Sequence, residues 1–181
     1  MKRVLWAWLL TVSLSAMGQE LPKSELCVSL GYMMEGEVYV WTPNVYGSVG
    51  ETVLFRADYS GYFSDYFGVG GYLSYANPYY WAFGNVSMYE VGFVLKGRFK
   101  AGEKMLIKIP AYVGYRGYGN EAGQAVAINL SGVFEYQGEN VKPFLDVGFL
   151  SQPTGGNDAT TMSFSPTLQV SVGLTFHLSK P

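Results

Sequence analysis

Charged side chains at every second position are the residues here that could do chemistry. They are Arg56 and Asp58, Glu90, Lys96 and Arg98, Lys108 and Arg116, Glu135, then Lys142 and Asp146. Each sits among Gly, Ser or Tyr on one face of an alternating segment, opposite a face of Val, Leu, Ile, Phe and Tyr. Charges of both signs facing one another away from water must pair, because an unpaired buried charge costs several kcal/mol. Such a set can plug a narrow interior or line a narrow passage for ions or small solutes. Other chemistries find little support. His177 is the only histidine and Cys27 the only cysteine, so no zinc site and no disulfide framework is expected. There is no phosphate-binding loop, and no cofactor is expected. We assign no catalytic or metal-binding residue.

A period of two places these residues on β-strands, since successive side chains point to opposite faces. The clearest case is Val53 to Ala76, VLFRADYSGYFSDYFGVGGYLSYA. Val53, Phe55, Ala57, Tyr59 and Phe63 alternate with Leu54, Arg56, Asp58, Ser60 and Tyr62. After a short turn, Phe67, Val69, Gly71, Leu73 and Tyr75 continue the apolar face. Other strands are expected at about Glu25–Met33, Val86–Phe99, Met105–Tyr118, Ala125–Tyr136, Val141–Leu150 and Ser163–Leu178. That makes eight strands and no helix. Pro110 lies mid-strand, where it cannot donate to a ladder, so a bulge or edge-like irregularity is expected there. Met34–Glu51 reads as a long loop able to extend the flanking strands. Asn77-Pro78 breaks the third strand, and Ser151–Met162 reads as a polar loop. Connections alternate between short and long.

The N-terminus has the pattern of a secretory signal peptide: Lys2 and Arg3, an apolar Val4–Leu14, then Ala16-Met17-Gly18. Cleavage is expected before Gln19, giving residues 1–18 as signal and 19–181 as one barrel domain. A net charge of −2 argues against a nucleic-acid partner. Charged residues make up 14% and aromatics 17%, against about 25% charged in a soluble domain. That balance fits strands facing an apolar medium.

Alternation alone does not say which face is wet. The apolar face ends in aromatics at both levels: Phe63, Phe67, Phe99, Tyr136 and Phe176 at one rim, and Tyr32, Tyr75, Tyr89, Tyr115 and Phe164 at the other. Two girdles around an aliphatic band match the two interfaces of a bilayer. The expected fold is therefore all-β, a single eight-stranded antiparallel up-and-down transmembrane β-barrel with its apolar face outward. It must be closed, because an unpaired strand edge in lipid costs several kcal/mol per backbone group.

The run YFSDYFGVGGYLSY at 62–75 resembles the hairpin of the small outer-membrane β-barrel family, the OmpA-domain and OmpX type. The C-terminal SVGLTFHL resembles the family's assembly signal, with Ser171, Gly173, Phe176 and Leu178 in its positions; Ser179-Lys180-Pro181 follow. The resemblance covers about Glu25 to Leu178. It implies the outer membrane of a Gram-negative-type bacterium, with membrane lipid, lipopolysaccharide and the barrel assembly machinery as partners. No peptidoglycan-binding domain is expected after the barrel. The family's lipid A deacylases use a His and a Ser two residues apart, the spacing of His177 and Ser179. Here that pair falls at the periplasmic end of the last strand with no third residue to orient the imidazole. The expected role is structural or surface-interacting, with loops 34–52, 77–85 and 152–162 displayed. Tyr39, Trp41, Tyr79, Tyr80, Trp81 and Phe83 form a candidate aromatic patch on them. A narrow pore is the alternative, and an envelope lipid enzyme a third reading.

Overall fold

The computed structural model describes residues 21, 23–40, 45–80, 84–119, 124–138, 141–157 and 160–178. The expected signal peptide and Ser179 lie outside them. Among the described residues twelve strands run in chain order: β1 Ser24–Met33, β2 Gly36–Val40, β3 Val45–Val49, β4 Thr52–Tyr62, β5 Phe67–Ala76, β6 Tyr79–Tyr80, β7 Gly84–Asn85, β8 Met88–Lys100, β9 Met105–Tyr118, β10 Gln124–Tyr136, β11 Lys142–Asn157 and β12 Thr160–His177. Eight of them (β1, β4, β5, β8, β9, β10, β11 and β12) pair antiparallel in that order, and β1 closes on β12. Glu25 lies opposite His177 and Met33 opposite Gln169 in that closing ladder.

The faces are set by what each side meets. Val53, Phe55, Tyr59, Phe67, Leu73, Val91, Leu95, Val113, Leu130, Phe149 and Val172 all point out and are exposed, while Arg56, Asp58, Glu90, Lys96, Lys108 and Glu135 point in and are buried. This inverts the order of a soluble protein and is the arrangement lipid demands of a barrel wall. Most of the aromatic ends stand outward as expected, including Phe63, Phe67, Tyr136 and Phe176 at one rim and Tyr32, Tyr75, Tyr89 and Tyr115 at the other. Tyr75 and Tyr89 face each other across β5 and β8 with ring centroids 5.3 Å apart.

The long segments read as loops are largely strand. β2 and β3 pair with each other, and β2 also pairs with the upper part of β12, Val38 opposite Phe164. β3 meets β6 at Val49 and Tyr80, and β6 pairs with β7. These short strands continue β1, β4, β5 and β8 beyond breaks at 34–35, 50–51, 77–78 and 86–87. β11 and β12 run through most of 151–162, with register shifts in β11 flanking Gln152. The barrel wall thus continues past the membrane band as an upper sheet.

Pro110 does not make a bulge. The ladder to β8 runs through it, Lys96 opposite Pro110. On the β10 side the pairing stops at Leu130–Ala111 and resumes at Val133–Lys108 in the same register. The missing N–H interrupts the ladder, but no residue is inserted, so the inward phase of Lys108 and Arg116 is preserved.

Candidate functional site: the lumen and its outer cap

Strand alternation delivers ten ionisable side chains into the barrel. Among the described residues, five acids (Glu25, Asp58, Glu90, Glu135 and Asp146) and five bases (Arg56, Lys96, Arg98, Lys108 and Arg116) are each at most 5% exposed. The formal charges balance.

Glu25 is the hub of the half of the lumen nearest the turns at 63–66 and 101–104. Its carboxylate accepts from Lys96 Nζ at 3.1 Å, Lys108 Nζ at 2.7 Å and Tyr62 Oη at 2.8 Å. Lys108 reaches on to Glu135 Oε2 at 2.5 Å, and Glu135 also accepts from Thr175 and from Gln137 Nε2 at 2.6 Å. Lys96 bridges upward to Asp58, whose other oxygen accepts from Tyr112 Oη at 3.3 Å. The middle layer is Arg56. Its guanidinium lies 3.5 Å from Asp146 Oδ2, donates to Gln169 Oε1 at 3.1 Å and stacks 4.5 Å from the Tyr112 ring centroid. In the outer layer Arg116 donates to Glu90 through Nε at 2.8 Å and through Nη2, and to Gln152 Oε1 at 3.1 Å. Ser74 donates to Glu90 at 3.1 Å.

Tyrosines and glycines complete the filling. Tyr72 and Tyr112 meet edge to face at 5.0 Å. A Cβ on Gly114 would lie 2.4 Å from Tyr72 Oη, so only glycine leaves room for that ring. Two cavities among the layers measure about 10 Å³ each, room for about one water apiece.

Ten expected lumen residues are therefore placed as follows. Arg56, Asp58, Glu90, Lys96, Lys108, Arg116, Glu135 and Asp146 interlock as described. Arg56 and Asp58 sit at mid-barrel in β4, and the cap fills the space above them. Arg98 lies with its guanidinium 3.4 Å over the Tyr62 ring and its Nε 3.0 Å from the Asp65 carbonyl. Lys142 is half-buried at the rim, 2.9 Å from Gln137 Oε1, whose amide donates to Glu135, and 3.0 Å from His177 Nδ1.

The outer end of the lumen is apolar. Met33, Leu54, Ala76, Met88 and Leu150 point inward there, and Val49 and Val86 pack with them, with Tyr118 alongside. Val49 and Val86 sit beside the strand breaks, which lets them turn in over the barrel mouth. The cap was not foreseen. Glu25, Tyr62, Tyr72, Tyr112, Gln152 and Gln169 were also missed as partners, although the parity of Glu25 with Cys27 and Ser29 already marked it as inward.

Of the aromatic patch, Trp41, Trp81 and Phe83 lie outside the described residues. Tyr79 is exposed, and Tyr39 is half-buried in β2 opposite Tyr46. Tyr80 lies opposite Val49. In the assembly signal, Ser171 is buried inside the barrel while Phe176 and Leu178 face out. Among the described residues there is no group of three His, Cys, Asp or Glu able to hold a metal ion.

No protein-family model matches the chain, and no curated protein matches it in sequence. Solved structures do match. Neisserial surface protein A (NspA) superposes with a TM-score of 0.63 at 8% identity, covering 88% of this chain and 100% of its own. The outer membrane protein OprG from Pseudomonas aeruginosa gives 0.59 at 10% identity, covering 88% and 98%. At such identities the likeness concerns the fold, which is that of the small outer-membrane β-barrels.

Proposed function

We propose that this outer-membrane barrel is a closed, non-enzymatic scaffold whose working surface is its extracellular sheet. One observation carries the reading: ten buried charges balance one another inside the wall, beneath an apolar cap. A conducting pore needs a hydrated path, whereas this lumen is occupied by paired side chains. With the interior filled, function falls to what the upper parts of β2, β3, β6, β11 and β12 present to the outside. In this reading the chain is exported through its signal peptide, inserted by the barrel assembly machinery through Ser171, Gly173, Phe176 and Leu178, and surrounded outside by lipopolysaccharide. The partner is a surface ligand for which Tyr39 and Tyr79 are candidate contacts.

The test combines electrical and chemical access. Purified barrel in planar bilayers is expected to show no conductance above empty membrane. Cys27, the only cysteine and buried in the lumen, is expected to resist a charged thiol reagent until the barrel is unfolded. Steady conductance, or rapid labelling of Cys27 in the folded barrel, would overturn the closed-scaffold reading. Exchange of segments 34–52 and 77–85 for short turns should then abolish surface binding while heat-modifiable gel migration is kept.

A further inference from the structure

The outer of the two lumen cavities lies between the Glu90–Arg116 layer and the apolar cap. It measures about 10 Å³, with Arg116, Gln152 and Thr167 on its polar side and Met33, Val49 and Met88 on the other. Gln152 enters the lumen where the β11–β12 ladder changes register on both sides of it. Its Oε1 accepts from Arg116 Nη1 at 3.1 Å and from Tyr118 Oη. A guanidinium can only donate, so the amide is fixed with Oε1 towards Arg116 and Nε2 turned away. Gln152 is fully buried, and among the described residues its Nε2 has no hydrogen-bond partner. A buried amide donor is costly to leave without an acceptor.

The inner cavity has the same size and is lined by Asp58, Lys96, Lys108, Tyr112 and Asp146. Asp146 approaches Arg56 through Oδ2 at 3.5 Å, while its Oδ1 makes no hydrogen bond among the described residues. Lys96 and Lys108 bond to Glu25, Asp58 and Glu135. Among the described residues no direct hydrogen bond joins either lysine to Asp146, and the three side chains share this cavity. A water needs about 10–15 Å³ and two to four polar partners, which both places supply. In the outer cavity it accepts from Gln152 Nε2 and donates to the Thr167 hydroxyl. In the inner one it accepts from a lysine ammonium and donates to Asp146 Oδ1. An ion does not suit either place, because the buried charges already balance and a further charge would stand uncompensated.

We propose that each cavity is a binding site for one water molecule. The outer water ties Gln152 to Thr167 beneath the cap. The inner water joins the Arg56–Asp146 layer to Lys96 and Lys108. Two single waters are not a path, since layers of paired charges separate them. The sites stand independently of the closed-scaffold reading, whereas slow exchange of these waters with the bulk rests on it.

Crystals of the detergent-purified barrel that diffract well enough to show ordered water, and nuclear Overhauser effects from water to the Gln152 side-chain amide in micelles, test this. The expected result is one density peak within hydrogen-bond distance of Gln152 Nε2, a second beside Asp146 Oδ1, and a water cross-peak at the Gln152 amide. Thr167→Val removes a partner of the outer water and should abolish that cross-peak while the peak beside Asp146 stays. Val133→Ile extends an apolar wall of the inner cavity and should remove the inner peak while the Gln152 cross-peak stays. Heat-modifiable migration checks that both variants fold. Lack of density at both positions in the unaltered barrel would overturn the proposal, as would an unchanged Gln152 cross-peak in Thr167→Val. A Val133→Ile barrel that fails to fold leaves Thr167→Val and the density to decide. Density at both positions with rapid exchange of the waters would keep the sites and count against the closed-scaffold reading alone.

Discussion

Lys108 Nζ lies 2.7 Å from Glu25 Oε2, joining residues 83 apart in sequence across the barrel interior. Glu25 stands at the start of β1 and Lys108 on β9, strands that do not pair with each other. Such a contact ties opposite walls together, which no backbone ladder does. The alternative partners, Glu135 for Lys108 and Tyr62 for Glu25, extend the tie to β10 and β4.

Glu25→Gln is therefore expected to destabilise the barrel by about 3 kcal/mol, because it leaves Lys96 and Lys108 short of a buried counter-charge. Urea unfolding in phospholipid vesicles, followed by tryptophan fluorescence, measures this. A double-mutant cycle with Lys108→Gln should return a coupling of about 2 kcal/mol. Additive losses would mean that the two side chains do not interact in the folded barrel.

Tyr62 acts through its hydroxyl and its ring. Its hydroxyl donates to Glu25 at 2.8 Å and also meets Arg98, and its ring lies beneath the Arg98 guanidinium. Tyr62→Phe removes the hydroxyl contacts but keeps the ring and should cost about 1.5 kcal/mol, the value of a hydrogen bond to a charged group. Tyr62→Leu removes both and should cost about 1 kcal/mol more. Equal losses in the same urea assay would show that the ring does not hold Arg98.

Which face meets lipid is tested at Phe93, 76% exposed in the middle of β8. Phe93→Arg is expected to cost about 3 kcal/mol in vesicles, and Phe63→Arg, in the turn between β4 and β5, no more than about 1 kcal/mol, since the penalty for a lipid-facing cation falls away from the midplane. A soluble barrel would tolerate both changes, and equal small effects would place this face in water.

The wall was legible because its two sides meet different media. A face of Val53, Phe55 and Tyr59 against one of Arg56, Asp58 and Ser60 can only be a strand between lipid and a polar interior, and the strand limits on β9 follow from that alternation. The upper strands were legible only as an extension of the strands flanking 34–51, without their pairing. Residues 36–40 and 45–49 lack a two-sided contrast, and they are strand because β12 and β6 offer them backbone partners. Pro110 was legible in part: the ladder to β10 lapses beside it, but whether a missing N–H forces a bulge depends on the neighbouring strand, and here the β8 ladder holds the register. The pairing of Glu25 with Lys108 was invisible because it crosses the lumen, whereas sequence spacing speaks only of neighbours along one strand.

The apolar cap shows most plainly where patterning fails. Leu54, Met88 and Leu150 carry inward parity, yet they are apolar, so alternation alone would class them as errors. Packed against Val49 and Val86, they separate the Glu90–Arg116 layer from the extracellular side. Met88→Ala is expected to cost about 3 kcal/mol as a buried methionine truncated to a cavity. The exposed Met34→Ala should change stability by less than about 0.5 kcal/mol. The cap also predicts an order of opening. With Met88→Ala, amide exchange at Arg116 and Gln152 should accelerate while exchange at Lys108 and Glu135, deeper in the barrel, stays near its unaltered rate. Uniform acceleration at both depths would mean that the outer cluster is not a separate lid and that the lumen opens as one unit.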